Sequence, residues 1–191
     1  MKDFLGKYSY GIVKMFVTQF VISLFGALLA MATASSGNDT LTLVVGCFAM
    51  LFYLFLIYDM MWEIGAKDKI SVDVGKKEYR PFTGLWMALI ASIPSIIIAI
   101  LYTIAYPLMS SARWAGTLAA ILNVISLFIH GMYRAITSTV QIAGTYMNNL
   151  WWTYFVIIIP VALVAFLAYY LGHKNFKFTA LFTRKDGNTE K

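Results

Sequence analysis

Charged side chains are scarce in this sequence. Only 13% of its 191 residues are Asp, Glu, Lys or Arg, about half of what a soluble domain carries. A water-soluble globule is thereby excluded. Cysteine is nearly absent: Cys47 is the only one, set inside an apolar run, so neither a disulfide framework nor a cysteine metal site can be assembled. The two histidines occur in no H-E-x-x-H motif. The sequence also lacks a G-x-S-x-G elbow, a Gly-rich phosphate loop and a paired acidic motif inside its apolar runs. Enzymatic templates find no foothold, and the chain reads as non-catalytic and without a cofactor. No repeat, linker or low-complexity stretch divides it, which leaves a single integral membrane domain over residues 1–191.

What is abundant is apolar length. Hydrophobic residues make up 60% of the chain and mean hydropathy is +0.73. Apolar runs extend over about 12–33, 41–62, 83–108, 114–133 and 150–172, each near the ~20 helical residues that cross a bilayer. Backbone polar groups in lipid must be satisfied within the segment, and alternating ten-residue strands are missing, so the fold class is an all-α polytopic bundle. Small residues Ala32, Thr33 and Ala34 after the first run fit a signal-peptide cleavage pattern, but that run exceeds the usual apolar region and reads as a retained helix. The sequon Asn38, Asp39, Thr40 is read as an ordinary turn.

Lysine and arginine set the expected orientation, because they are retained on the cytoplasmic side of short loops. Lys2, Lys7 and Lys14 place the amino terminus inside, and Lys67, Lys69, Lys76, Lys77 and Arg80 place the 63–82 loop inside two crossings later. Five spans would put the basic tail, 173–191, outside. Returning residues 134–149 through the membrane as a short or re-entrant fifth segment puts fourteen of the fifteen basic residues inside, so six segments are preferred. The competing reading is a helix on the inner surface with five spans. The six-segment reading gives a multi-pass cell-membrane protein with both termini cytoplasmic.

Three features carry chemical interest. Asn123, Ser126, His130, Arg134, Thr137 and Gln141 are spaced 3, 4, 4, 3 and 4 residues apart, one face of a helix. Polar groups at membrane depth mark a functional stripe or act as interhelical glue. Asp59 and Glu63, one turn apart at the expected inner end of the second run, are candidate partners for Arg134 or His130. Gly26, Ala30 and Ala34 recur every four residues and admit close approach of another helix, in this chain or in another copy or partner. Pro94 and Pro160 invite kinks. The 63–82 loop reads as a solvated mixed-charge surface, net +1, with a short strand over Ile70, Val72 and Val74 before Gly75. In the tail, Lys174, Lys177, Arg184 and Lys185 interleave with Phe176, Phe178, Leu181 and Phe182, a pattern suited to the headgroup layer rather than to nucleic acid.

The run W-E-I-G-A-K-D-K from Trp62 and P-F-T-G-L-W-M-A-L-I-A-S-I-P from Pro81 resembles a pattern in small polytopic membrane proteins of Gram-positive bacteria, a family that implies no activity. In size and even crossing number the chain also resembles the substrate-binding subunits of energy-coupling-factor transporters, which dock a partner through small residues such as Ala30 and Ala34. Those resemblances imply a transport-associated subunit that binds a small solute or partners a permease. The alternative is a membrane scaffold without a solute site. A wet pocket along the stripe favours the first, and a dry, paired stripe the second.

Overall fold

The structure is a computed structural model that describes residues 2–176. The tail pattern from Lys177 onward lies outside the described residues. Helix α1 spans Lys2–Ala34 and α2 Asp39–Asp73, joined by a turn in which Gly37 takes φ +67°. The Asn38 side chain accepts from the Leu41 amide at 3.1 Å, so the sequon asparagine caps α2. At 1.5 Å per residue the 35 residues of α2 reach about 52 Å, well beyond the roughly 30 Å of hydrocarbon. Its last turns overhang, and they absorb the expected strand: Ile70 and Val72 are helical, because the polar spacing there continues the buried face of α2.

Helices α3 (Thr83–Ala91) and α4 (Ile93–Ala105) form one apolar unit bent by 56° at Ser92, and a 3-10 turn follows over Tyr106–Leu108. The break precedes Pro94, whose missing N–H cannot continue the ladder. Helix α5 covers Arg113–Thr139 with a non-helical residue, His130, at φ −123° and ψ 16°. A hairpin of β1 (Gln141–Ile142) and β2 (Thr145–Tyr146) turns through Ala143 and Gly144, both at positive φ, before a 3-10 turn over Met147–Asn149. Helices α6 (Thr153–Val156) and α7 (Ile158–His173) are one apolar segment interrupted at Ile157, just before Pro160.

Four segments are long and apolar enough to cross a membrane, and the bent α3/α4 pair passes the same test as a unit. Packing decides how they are traversed. Tyr8 of α1, Asp68 of α2 and Tyr169 of α7 meet through hydrogen bonds, and Gly84 of α3 backs onto Ala165 and Tyr169. One end of the bundle, the terminal end, therefore holds the start of α1 and α3 and the finish of α2 and α7. Along α5, Ile129 sits by Gln19, Gly131 and Met132 by Ser23 and Gly26, and Ala135 by Gly46. Beyond its kink α5 thus runs parallel to α1 and ends at the far end, beside the α1–α2 turn. From Thr83 to Thr139 the chain starts at the terminal end and finishes at the far end, with the 56° bend between α3 and α4 on the way.

Two expectations are corrected by this geometry. Residues 134–149 form no separate segment: 134–139 finish α5, and the remainder is the hairpin and 3-10 turn at the far end. The break falls instead in the third apolar run, which bends by 56° just before Pro94. Arg134 consequently lies toward the far end of the bundle, away from the end that holds Asp68. Four of the described helical segments are long and apolar enough to span, and both ends of the described chain lie at the terminal end of the bundle.

The main core gathers Met15, Tyr53, Ile57, Met61 and Met87 between α1, α2, α3 and α7, and includes Met132 and Tyr133 from α5 beyond the kink. A smaller core joins Ile98, Ala99 and Tyr102 of α4 with Ala119 and Leu122 of α5 and Tyr154 of α6. Burying about 25 cal/mol per Å² of apolar surface is weak glue against lipid, so close backbone contact matters more. Gly65, Gly84 and Gly172 supply it. A Cβ at any of them would collide with a backbone carbonyl of the neighbouring helix, on Tyr169, Ala165 and Trp62 respectively.

Candidate functional site: a carboxylate cluster and basic clefts at the terminal end

Asp68 continues the buried face of α2 through Ile57, Met61 and Gly65, at helical spacing. That phase turns its carboxylate into the bundle, where the residue is 6% exposed. The hydroxyls of Tyr8 and Tyr169 donate to Asp68 Oδ2 at 2.6 and 2.8 Å, and the Lys77 ammonium donates to the same oxygen and to the Tyr8 hydroxyl. Lys7 Nζ lies 3.9 Å from Oδ1. Lys77 reaches in from the loop after α2, and burial pulls its pKa below the usual ammonium range against the opposing pull of Asp68. Four elements thus share one charge: α1, α2, α7 and the 74–82 loop. The sequence reading took this loop as solvated.

Three clefts surround the cluster at this end. One of about 450 Å³ is walled by Phe4, Tyr79, Arg80, Pro81, Phe82, Thr83, Trp86 and Ile90. A second, about 290 Å³, shares Phe4 and Arg80 with the first and adds Lys7, Tyr8, Lys77 and Glu78. The third, about 370 Å³, opens between α1 and α2 and is lined by Lys7, Lys14 and Lys67 with Glu63, Asp68, Tyr10 and Met60 among others.

The polar stripe is different. Asn123 Oδ1 accepts from the Tyr154 hydroxyl at 2.9 Å, and Ser126 and Thr137 donate to backbone carbonyls of their own helix. Gln141 leaves the helix for β1 and is exposed. Ser126, His130, Arg134 and Thr137 face Asn148, Thr153, Tyr154 and Ile157 across a space of only about 10 Å³, about one water molecule. Both ring nitrogens of buried His130, together with Thr153 Oγ1 and Asn148 Oδ1, have no hydrogen-bond partner among the described residues. The stripe is therefore neither a solute-sized wet pocket nor a fully paired seam.

The other sequence candidates are scattered. Glu63 pairs with Lys67 at 2.6 Å on the exposed side of α2, and Asp59 is exposed. Neither approaches Arg134 or His130, because α5 ends at the opposite face. Gly26 abuts Gly131 and Met132 within this chain, Ala30 is buried, and Ala34 is exposed. Gln19, which carried no signal in the sequence, donates to Ser95 Oγ at 3.2 Å and to the Ile129 carbonyl at 3.0 Å, tying α1 to α4 and α5. Among the described residues, no group of three or more His, Cys, Asp or Glu is arranged to hold a metal ion.

The chain is a membrane-embedded bundle of apolar helices. Comparison with protein-family models, curated proteins and solved structures finds no match.

Proposed function

We propose that the chain is a non-catalytic, multi-pass cell-membrane subunit that partners a larger transport assembly through its terminal face, which is cytoplasmic, and carries no solute along its polar stripe. The observation behind this reading is the distribution of space. About 10 Å³ lies beside the stripe, whereas clefts of about 290–450 Å³ open at the lysine-rich end. Drug-sized solutes occupy roughly 300–1,000 Å³. Orientation follows from the clustering of Lys7, Lys67, Lys77 and Arg80 at that end and the retention of such residues inside.

The contact surface is the overhang of α2, where Ile70 is 65% and Val74 61% exposed beyond the apolar span. Apolar side chains held out this way suit a protein partner. The likeness of the Trp62 and Pro81 runs to small Gram-positive membrane proteins, and of the chain's size to energy-coupling-factor subunits, is the ground for choosing a transport assembly. The second reading, a scaffold with no solute partner, is favoured by the small space at the stripe.

Photo-crosslinking from position 70 in native membranes tests both. A crosslinked permease component, lost when Val74→Asp is added, supports the subunit reading. A non-transport membrane protein supports the scaffold, and no adduct at all refutes partner docking on α2.

A further inference from the structure

We infer that the two connected clefts along α3 form a binding site for an anionic phospholipid of the surrounding bilayer, its phosphate held by Lys7 and Arg80 and one acyl chain laid along Phe82, Trp86 and Ile90. This goes beyond the partner reading and stands without it. The geometry is amphipathic. Phe82, Trp86 and Ile90 recur every four residues down one side of α3 and wall the larger cleft, whose lining is apolar apart from its upper rim. Phe82 and Trp86 are 55% and 56% exposed, so although Phe166 of α7 stacks on Phe82 at 5.7 Å, no helix among the described residues covers the trench.

Arg80 and Phe4 belong to both clefts, and the smaller one adds Lys7 and Lys77. Charge at the rim is specific. Lys7, Lys77 and Arg80 face Glu78 in the lining and Asp68 beneath it, which leaves one net positive charge, the complement of a single phosphodiester. Lys77 is committed to Asp68 and Tyr8, so exposed Arg80 and Lys7, only loosely paired with Asp68 at 3.9 Å and with its side chain 47% exposed, are the donors that reach a headgroup. Arginine offers the bidentate fork that suits phosphate, and basic pockets between membrane helices on the cytoplasmic side take anionic headgroups.

The test uses the full chain with Trp62, Trp114, Trp151 and Trp152 replaced by Phe, leaving Trp86 as the reporter. It is reconstituted into phosphatidylcholine vesicles doped with a minor fraction of either brominated phosphatidylglycerol or brominated phosphatidylcholine. The expected result is stronger quenching of Trp86 by the phosphatidylglycerol at equal fraction. The preference falls roughly fivefold for each of Arg80→Gln and Lys7→Gln, as one basic contact implies. A reporter with Trp114 alone, on the exposed side of α5, shows no preference. Equal quenching of Trp86 by the two lipids, or a preference unchanged in the double variant, overturns the site. Inorganic phosphate leaves the quenching intact if the acyl chain contributes; displacement by phosphate reassigns the pocket to a free anion and overturns the lipid assignment.

Discussion

Removing the Asp68 carboxylate strikes the one charge that four elements share. Asp68→Ala leaves the Lys77 side chain, 13% exposed, without its counter-charge, and strips the Tyr8 and Tyr169 hydroxyls of their acceptor. Breaking one side of a buried ion pair costs about 3–5 kcal/mol. Lys77 keeps the Tyr8 oxygen and an edge to water, so about 3 kcal/mol is expected here. For a chain of this length that corresponds to a Tm lowered by roughly 6–12 °C, read from thermal unfolding in detergent micelles by circular dichroism. Asp68→Asn retains a carbonyl acceptor and falls less. The decisive comparison is the double variant Asp68→Leu/Lys77→Met. With both charges gone, no buried charge is left unpaired, though the Tyr8 and Tyr169 hydroxyls still lack their acceptor, and its cost drops below that of Asp68→Ala alone. A shift within about 1 °C for Asp68→Ala, or a double variant equal to the sum of the singles, would refute the claim that this pair is buried and coupled.

Glycine contacts give a second prediction. Gly65→Val forces α2 away from the Tyr169 carbonyl and costs about 1–3 kcal/mol, whereas Gly116→Ala, with open space at its Cβ position, leaves Tm unchanged or higher; equal effects would remove the argument from close packing. The path of α5 is checked by single cysteines at Ser36, Gln141 and Lys76 in a Cys47→Ser background. An impermeant maleimide should reach 36 and 141 from one side of the membrane and 76 from the other, and co-labelling of 141 with 76 would reverse α5. Tyr154→Phe deletes the donor to Asn123 Oδ1 and should lower Tm by roughly 2–4 °C, the equivalent of about 1 kcal/mol; no change in the same melt would mean the stripe lends no stability at that point.

Much of the bundle was legible because membranes impose length. The apolar runs at 12–33 and 41–62 fall inside α1 and α2, the run at 150–172 overlaps the α6/α7 segment from residue 153 on, and Pro94 and Pro160 each follow a break. Charge counting asks only for an even total and cannot locate breaks within a run, and the 56° bend at Ser92 goes with packing of α4 against Gln19 and Ile129. Asp68 was overlooked because Lys67 and Lys69 flank it and mark the segment as solvated. Its helical phase with Gly65 and Met61 was the signal, visible only if α2 is extended past the last uncharged residue. His130, singled out as a member of the polar stripe near an interface, is buried, and its place at a kink follows from two packing partners that the sequence does not order.

The break at His130 divides α5 between two masters. Residues before it belong to the small cluster with α4 and Tyr154, and residues after it to the main one with α1 and α2. Such a rod acts as a lever: the α4–α5 elbow can swing or open on its own while the glycine-locked trio of α2, α3 and α7 keeps its register. Hydrogen exchange should accordingly be graded along a single helix, faster on the amino-terminal side of residue 130 than on the other.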